Sequence, residues 1–121
     1  MIVRRTIHFA VVLVGLLMQT TLAARAQDYP AGPITIVVPF PPGGSIDVVL
    51  RALAPKLQER LGKPVLIENR AGGGGTIATA AVAKSPPDGH MLFAAPSLLA
   101  ANPKLFKTLP FDAIKDFTPI S

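Results

Sequence analysis

The sequence contains no cysteine and only two histidines. Without a thiol the protein can form no disulfide bond, no thiolate nucleophile and no cysteine-ligated metal site, and it cannot carry a lipid on an N-terminal cysteine. The acidic residues Asp88, Asp112 and Asp116 are isolated on predicted turns, and no metal-site spacing links them. We therefore expect no disulfide, no metal, no cofactor and no lipid anchor.

The sequence also lacks an apolar run long enough to cross a membrane. The run Phe9–Met18 has ten residues, whereas about 20 are needed to span a bilayer. Arg4 and Arg5 precede it and Ala24-Arg25-Ala26 follows it, as in a secretory signal with a small-x-small cleavage site. We predict a signal peptide over residues 1–26, cleavage after Ala26 and a periplasmic mature protein. A retained signal anchor is the alternative.

Little net charge remains once the signal is set aside. Three of the twelve basic residues lie in the signal, so nine stay against seven acidic ones and the net charge falls from +5 to +2. A stripe of basic residues is the footprint of nucleic-acid binding, and the mature sequence has none. We therefore expect no nucleic-acid partner.

The apolar periodicity predicts an alternation of strands and helices. Strands are expected at residues 34–38, 65–67 and 91–94, and helices at 46–61, 76–84 and 98–107. We expect Ser45 to cap the first helix, Pro55 to bend it and Gly62 to end it. Asn102-Pro103 should divide the third helix. The order of elements is typical of an α/β fold with a doubly wound parallel sheet.

The strand order decides where a ligand would bind. If the order is 2-1-3, the chain reverses direction between the first and third strands. Open α/β sheets bind ligands at that reversal, beyond the carboxyl ends of the strands. This geometry selects residues 40–47, 70–76 and 95–98.

Two glycine-rich loops precede helices at these positions, Pro42-Gly43-Gly44-Ser45 and Gly72–Thr76. Glycine lets backbone N–H groups converge, and a helix N-terminus adds roughly half a positive charge, so such loops can hold an anion without lysine or arginine. Tight turns or close helix packing would explain the same glycines. Neither loop has the Gly-Lys-Ser/Thr of a P-loop, and the match of Gly73-x-Gly75-x-x-Ala78 to the dinucleotide fingerprint lacks its acidic partner.

Several polar residues allow two interpretations each. Asp47 either stabilises the helix dipole or accepts a hydrogen bond from bound water or a ligand hydroxyl or amine. Ser97 either caps a helix or faces the ligand crevice. Arg70 with Glu68 indicates a local ion pair rather than a ligand clamp. His90 begins the third strand, at the end away from the crevice, which disfavours a serine-hydrolase pairing with Ser97.

These residues lie in blocks that together resemble the substrate-binding receptors of tripartite tricarboxylate transporters, also called Bug receptors. The resemblance runs from Tyr29 to Ser121, in five blocks that follow one another in order. The blocks are residues 36–47 (IVVPFPPGGSID), residues 64–70 (PVLIENR) with the glycine loop after them, Asp88-Gly89, residues 101–106 (ANPKLF) and residues 116–121 (DFTPIS).

The resemblance implies a type II periplasmic binding protein, whose two lobes close on a small mono-, di- or tricarboxylate or a similar amide, partly through ordered water. It also implies a partner, a membrane permease of one large and one small subunit. The glycine loops would hold one ligand carboxylate, and the region of Ser97 would face the cleft. The ligand-binding residues expected on this basis are Phe40, Pro42, Gly43, Gly44, Ser45, Asp47, Gly74, Gly75, Thr76 and Ser97.

Some features depart from the family pattern. Ile46 stands where a small polar residue is usual, Ala71 where proline is frequent and Ala78 where glycine is common. Family members are also much longer. We therefore expect residues 27–121 to form part of an N-terminal lobe, with a further strand opening at residues 117–121, and to be unstable or unable to bind a ligand alone.

We predict a periplasmic receptor, not an enzyme, that captures a small carboxylate for a tripartite tricarboxylate-type transporter. A periplasmic sensor of the same fold is one alternative. A nucleotide-binding or serine-hydrolase enzyme is another, although a phosphate-binding lysine and a usable base are missing.

Overall fold

The structure is a computed structural model, and it describes residues 28–120. The predicted signal peptide, residues 1–26, lies outside this range. The elements follow one another as β1 (Ile34–Val38), α1 (Ser45–Leu61), β2 (Val65–Asn69), a 3-10 turn (Gly73–Gly75), α2 (Thr76–Ala83), β3 (Met91–Phe93) and α3 (Leu98–Leu105). None of the helices within residues 28–120 combines the length and the apolar character of a membrane span.

The three strands form a parallel sheet in the order β2-β1-β3, which confirms the predicted order. β1 is central, and its Ile36 lies opposite Ile67 of β2 and Leu92 of β3. β2 extends two residues beyond the predicted strand because Val38, at the end of β1, pairs with Asn69. Since all strands are parallel, their carboxyl ends meet at one edge of the sheet.

The core lies on both faces of β1. On one face Ile34 and Ile36 pack with Val65 of β2 against partly buried leucines of α1. On the other face Val37 packs against Ala78 and Val82 of α2. Val37 and Val38 have no exposed surface, and complete burial of a valine side chain stabilises a fold by about 1.5–3 kcal/mol. A strand covered on both faces explains the continuous β-branched run in the sequence.

The C-terminal end of α1 agrees with the sequence prediction, and its N-terminal end does not. α1 ends at Gly62, which has the left-handed φ of 66° expected of a helix stop. The prediction that Ser45 caps α1 is wrong, because the N-cap position is Gly44 and no side chain makes a capping hydrogen bond. Gly43, with φ 87°, turns the chain so that Gly44 is the last extended residue and Ser45 already begins the helix. Pro55 lies within the continuous span of α1.

Two predictions near the C-terminal end of the chain are also wrong. α3 is not divided before Pro103 but continues to Leu105. Since α3 is only eight residues long, a proline near its end removes a single intrahelical hydrogen bond. Residues 117–120 form no strand. The ring of Phe117 packs instead against Phe93 and Phe111, with ring centres 5.8 and 6.5 Å apart.

Candidate functional site

Two loops lie together at the carboxyl edge of the sheet. The first loop, residues 39–44, joins β1 to α1, and the second loop, residues 70–75, joins β2 to α2. They touch at Gly75, where a Cβ atom would lie 3.3 Å from Cβ of Pro39. The N–H of Arg70 also donates to the Val38 carbonyl oxygen at 2.8 Å. The structure therefore brings the two predicted glycine loops together at one edge of the sheet.

The first loop delivers unpaired backbone amides to the start of α1. Within residues 28–120, the N–H groups of Gly44, Ser45 and Ile46 have no acceptor. The Gly43 N–H is engaged, since it donates to Oδ2 of Asp47 at 2.8 Å. Because α1 has 17 residues, its dipole adds to these amides at the N-terminus. This end of α1 can hold an anion without a cationic side chain.

The second loop is held in a tight turn by its own hydrogen bonds. The Gly75 N–H donates to the Gly72 carbonyl at 2.9 Å, and the Thr76 hydroxyl donates to the Gly73 carbonyl at 2.8 Å. Each of the four glycines 72–75 has a positive φ, which only glycine adopts at low cost. Among the described residues, the Gly74 N–H has no acceptor. Within the same range the N–H groups of Gly72 and Gly73 have none either, so three of the four glycine amides of this loop are available to a ligand.

A shallow groove opens between α1 and the end of β3. Its lining residues are Ser45, Ile46, Val49, Leu50 and Ala94. The groove lies at the point where the strand order reverses, which is where the sheet topology predicts a ligand. Apart from Ser45, its side chains are apolar. The site therefore pairs backbone donors with an aliphatic wall.

Asp47 lies at the centre of a hydrogen-bond network beneath the first loop. Its side chain is buried, with 4% exposed. In addition to Gly43, it accepts from Nε of Arg51 at 3.0 Å and from Nδ2 of Asn69 at 3.0 Å. Asn69 Nδ2 also donates to the Phe40 carbonyl at 3.2 Å, and Arg51 Nη2 donates to Asn69 Oδ1 at 2.9 Å. The network therefore connects the first loop to the end of β2.

These contacts stabilise the charged form of Asp47. Hydrogen bonds from Arg51, Gly43 and Asn69 lower the pKa of Asp47 from 3.8 to about 2. Asp47 and Arg51 together carry no net charge. The prediction that Asp47 accepts from a ligand or a water stays a prediction, since its oxygens are occupied by donors within the protein.

Sequence reasoning missed Asn69 and Arg51 as parts of the site. The signals were present, because Arg51 follows Asp47 by four residues on one helix face. Asn69 comes two residues after the second apolar run, Val65–Ile67, at the carboxyl edge of the sheet. Neither signal is specific, because a four-residue charge spacing is common on helix surfaces.

The structure does not bring Ser97 and His90 together. Ser97 is exposed just before α3, and no described contact joins it to either loop. His90 precedes β3, at the opposite end of that strand from Ser97. Arg70 forms a two-bond ion pair with Glu68, which confirms the predicted pair and raises the pKa of Arg70 above its ordinary value. Within residues 28–120, no cluster of three or more histidine or acidic side chains could hold a metal ion.

Comparison with known proteins points to one family. The family model described as tripartite tricarboxylate transporter family receptor matches residues 49–121. Protein BugT of Bordetella pertussis is 49% identical over 98 residues, which cover 79% of this chain and 30% of that protein.

Two solved structures share the fold at similar identity. The periplasmic binding protein BugD is similar with a TM-score of 0.71 at 39% identity, over 76% of this chain and 31% of that one. An R. palustris protein solved with adipate has a TM-score of 0.71 at 38% identity, over 76% of this chain and 31% of that one. The chain thus spans about a third of the length of these relatives. It belongs to the tripartite tricarboxylate transporter receptor family.

Proposed function

We propose that the protein containing this chain is a periplasmic receptor that captures a small carboxylate through backbone amides and passes it to a membrane permease. One observation supports it above the others: the amides of Gly44, Ser45 and Ile46 have no acceptor within the described residues, and they stand at the N-terminus of α1. A carboxylate oxygen placed there would satisfy these donors and oppose the helix dipole.

The surroundings of these amides support an organic acid rather than phosphate. The groove beside them has an aliphatic lining from Ile46, Val49, Leu50 and Ala94, which suits a carbon chain. The R. palustris relative was solved with adipate, a dicarboxylate with an aliphatic chain. We infer that one carboxylate of the ligand binds at the start of α1 and that its chain lies along the groove.

We further propose that the receptor performs no chemistry on its ligand. The matched family is a receptor family. A serine hydrolase would need a base beside Ser97, but His90 lies at the other end of β3. The interior donors to Asp47 also leave its carboxylate without the raised pKa that suits a general base near neutral pH.

The location and partner follow from the family and the N-terminal sequence. BugD is a periplasmic binding protein, and we propose the same compartment here, reached by a signal peptide over residues 1–26. In this proposal residues 27–121 contribute to the N-terminal lobe. N-terminal sequencing of the protein from a periplasmic extract should read Gln27-Asp28-Tyr29, and an N-terminus at Met1 would contradict cleavage.

The binding proposal is tested by calorimetry with the protein at its encoded length. The panel contains adipate, other mono-, di- and tricarboxylates, and their amides as uncharged controls. We expect at least one carboxylate to bind and its amide to bind weakly or not at all. Absence of heat with every acid, or equal affinity for acid and amide, would contradict the proposal.

A pair of variants at Ser45 tests the backbone amide directly. Ser45 is the first helical residue, where proline fits well, and the preceding Gly44 already has the extended conformation that proline requires. Ser45→Pro removes the N–H, whereas Ser45→Ala removes only the hydroxyl. Loss of a hydrogen bond to a charged group should weaken adipate binding by about tenfold or more in Ser45→Pro. An equal loss in Ser45→Ala would assign the interaction to the hydroxyl instead.

A further inference from the structure

The first loop has few hydrogen bonds of its own. Within residues 28–120, the two hydrogen bonds that fix residues 40–43 come from one source, the Asp47 network. Gly43 donates to Asp47, and the Phe40 carbonyl accepts from Asn69. Prolines 41 and 42 have no N–H to contribute. The conformation that presents the Gly44, Ser45 and Ile46 amides therefore depends on this network.

Asn69 has one orientation that satisfies all of its neighbours. Its Nδ2 group donates to both Asp47 Oδ1 and the Phe40 carbonyl, and its Oδ1 accepts from Arg51 Nη2. Turning the amide over would place its oxygen against two acceptors and its nitrogen against a donor. Each donor of the network therefore faces an acceptor, and its hydrogen bonds join the first loop, α1 and β2.

The charges of the network determine its effect on a ligand. A lone carboxylate in the first turn of α1 would cancel the positive end of the helix dipole and repel an anionic ligand. Arg51 neutralises it through both carboxylate oxygens. The Arg51 side chain remains half exposed, so the positive partner faces water and the negative partner is buried.

We propose that Asp47 is a positioning residue, which holds the first loop against the end of β2 and does not contact the ligand. This inference rests on the proposed function, because it assigns the conformation of the amides that bind the carboxylate. The lowered pKa of Asp47 agrees with it, since the carboxylate stays charged and hydrogen-bonded near neutral pH.

Asp47→Asn distinguishes this role from a direct electrostatic one. Asparagine must turn an NH2 group toward either Gly43 or Asn69, both of which donate to Asp47, so the network that fixes the loop loses a contact. If Asp47 acted only through its charge, its neutralisation would leave Arg51 unpaired and strengthen adipate binding. If it positions the loop, adipate binding should weaken by about tenfold or more, the factor expected for one charge-assisted hydrogen bond.

A ligand-free readout keeps the inference separate from the proposed function. Hydrogen exchange of the Gly43 amide, followed by NMR in the protein at its encoded length, should accelerate by about tenfold or more in Asp47→Asn. Asp88→Asn is the matched control, because Asp88 also accepts a backbone N–H, from His90, but at the opposite edge of the sheet. It should leave both Gly43 exchange and adipate affinity unchanged.

A second variant covers the case in which Asp47→Asn does not fold. Asn69→Ala keeps the Asp47–Arg51 pair and removes only the contacts that Asn69 makes, so it should weaken adipate binding while the fold persists. Unchanged Gly43 exchange in Asp47→Asn, or stronger adipate binding in either variant, overturns the inference. If the unsubstituted protein binds no carboxylate but Gly43 exchange responds as expected, the positioning role stands and the proposed function fails.

Discussion

At the scale of one residue, the side chain of Ile46 makes the groove apolar beside the start of α1. The backbone N–H of this residue is unpaired within the described residues, as are those of Gly44 and Ser45, and its side chain lines the groove beside Val49 and Ala94. A small polar residue at this point would add a hydroxyl donor beside the helix start. The isoleucine adds apolar surface instead, so the site should favour an unsubstituted aliphatic chain over a hydroxylated one.

We expect Ile46→Ser to shift this preference. Removal of the aliphatic side chain should weaken adipate binding by about tenfold, the scale at which apolar pockets discriminate one or two methylene groups. Binding of malate, whose hydroxyl gains a partner, should weaken less or improve. Calorimetric titration of both acids into both proteins measures the ratio. Ile46→Val is the control, because it keeps an apolar wall, and a ratio unchanged in Ile46→Ser would contradict this interpretation.

Asp47 should also give the protein an acid-sensitive component of stability. Its pKa is about 2 in the folded state, against an ordinary value of 3.8. A lowered folded pKa contributes stability that is complete above the unfolded pKa and is lost as pH falls toward the folded one. We therefore expect stability to decrease between about pH 5 and pH 2.

Urea unfolding of the unsubstituted protein and of Asp47→Asn, measured across this pH range, isolates the contribution of Asp47 to the free energy of unfolding. Asp88 and Asp112 have pKa values lowered by backbone N–H donors, so the unsubstituted protein loses stability from several carboxylates. The difference between the two proteins should be largest near neutral pH and should shrink toward pH 2. A difference that stays constant with pH would show that Asp47 contributes no titrating interaction.

At the scale of elements, Gly75 sets the distance between the two loops. It has φ 92° and ends the second loop against Pro39 of the first. In Gly75→Ala the new methyl group would meet Pro39 at 3.3 Å in a backbone conformation that costs a non-glycine residue about 1–2 kcal/mol. We expect the free energy of unfolding to fall by about that amount and adipate affinity to fall with it.

Gly32→Ala is the matched control for this substitution. A methyl group at position 32 would meet no atom within 4 Å, and Gly32 has no positive φ, so its stability change should stay within about 0.5 kcal/mol. Urea denaturation of both variants supplies the comparison. Equal effects in the two variants would mean that the contact with Pro39 has no special role.

The sequence predicts an element correctly where the spacing of its apolar residues follows from the faces that the element buries. β1 shows this best, because burial on both faces requires the continuous run Ile34–Val38. The end of α1 was equally clear, since Gly62 is the residue type that a left-handed stop requires. The start of α1 was not, because the turn at Gly43 moves the cap to Gly44.

The candidate site was predictable in position but not in its hydrogen bonds. Parallel strands and the order 2-1-3 place both glycine loops at one edge, so Gly43, Gly44 and Gly75 could be assigned to it. Which amides are free depends on tertiary contacts. Gly43 and Gly75 donate within the protein, and the partner of Gly43 lies four residues away on a helix that the turn must first orient.

At the scale of the whole molecule, the described residues leave apolar surface uncovered. Val48, Val49 and Leu53 of α1 are 57%, 56% and 46% exposed. Among the described strands, β3 pairs only with β1, so its other edge offers unpaired backbone groups. The chain spans about a third of its relatives' length. We expect the strip formed by Val48, Val49 and Leu53 to be covered in a protein of the relatives' length.

Leu53→Lys tests this expectation, because its effect on stability should differ between residues 27–121 alone and the protein at its encoded length. In residues 27–121 produced alone, the substitution should reduce aggregation and leave the broad urea unfolding curve nearly unchanged, because Leu53 is already half exposed. In the protein at its encoded length it should destabilise the fold by about 1.5–3 kcal/mol, the value of a leucine burial. Gln58→Lys, at an exposed polar position of the same helix, is the control.

The same pair of proteins tests whether residues 27–121 suffice for binding. With an unpaired strand edge and an uncovered helix face, the segment alone should unfold without a sharp urea transition and should gain no stability from adipate. The protein at its encoded length should unfold cooperatively and be stabilised by adipate, because a ligand that binds only the folded state raises its free energy of unfolding. A cooperative, adipate-dependent transition in the segment would show that the two loops and the start of α1 form a complete site by themselves.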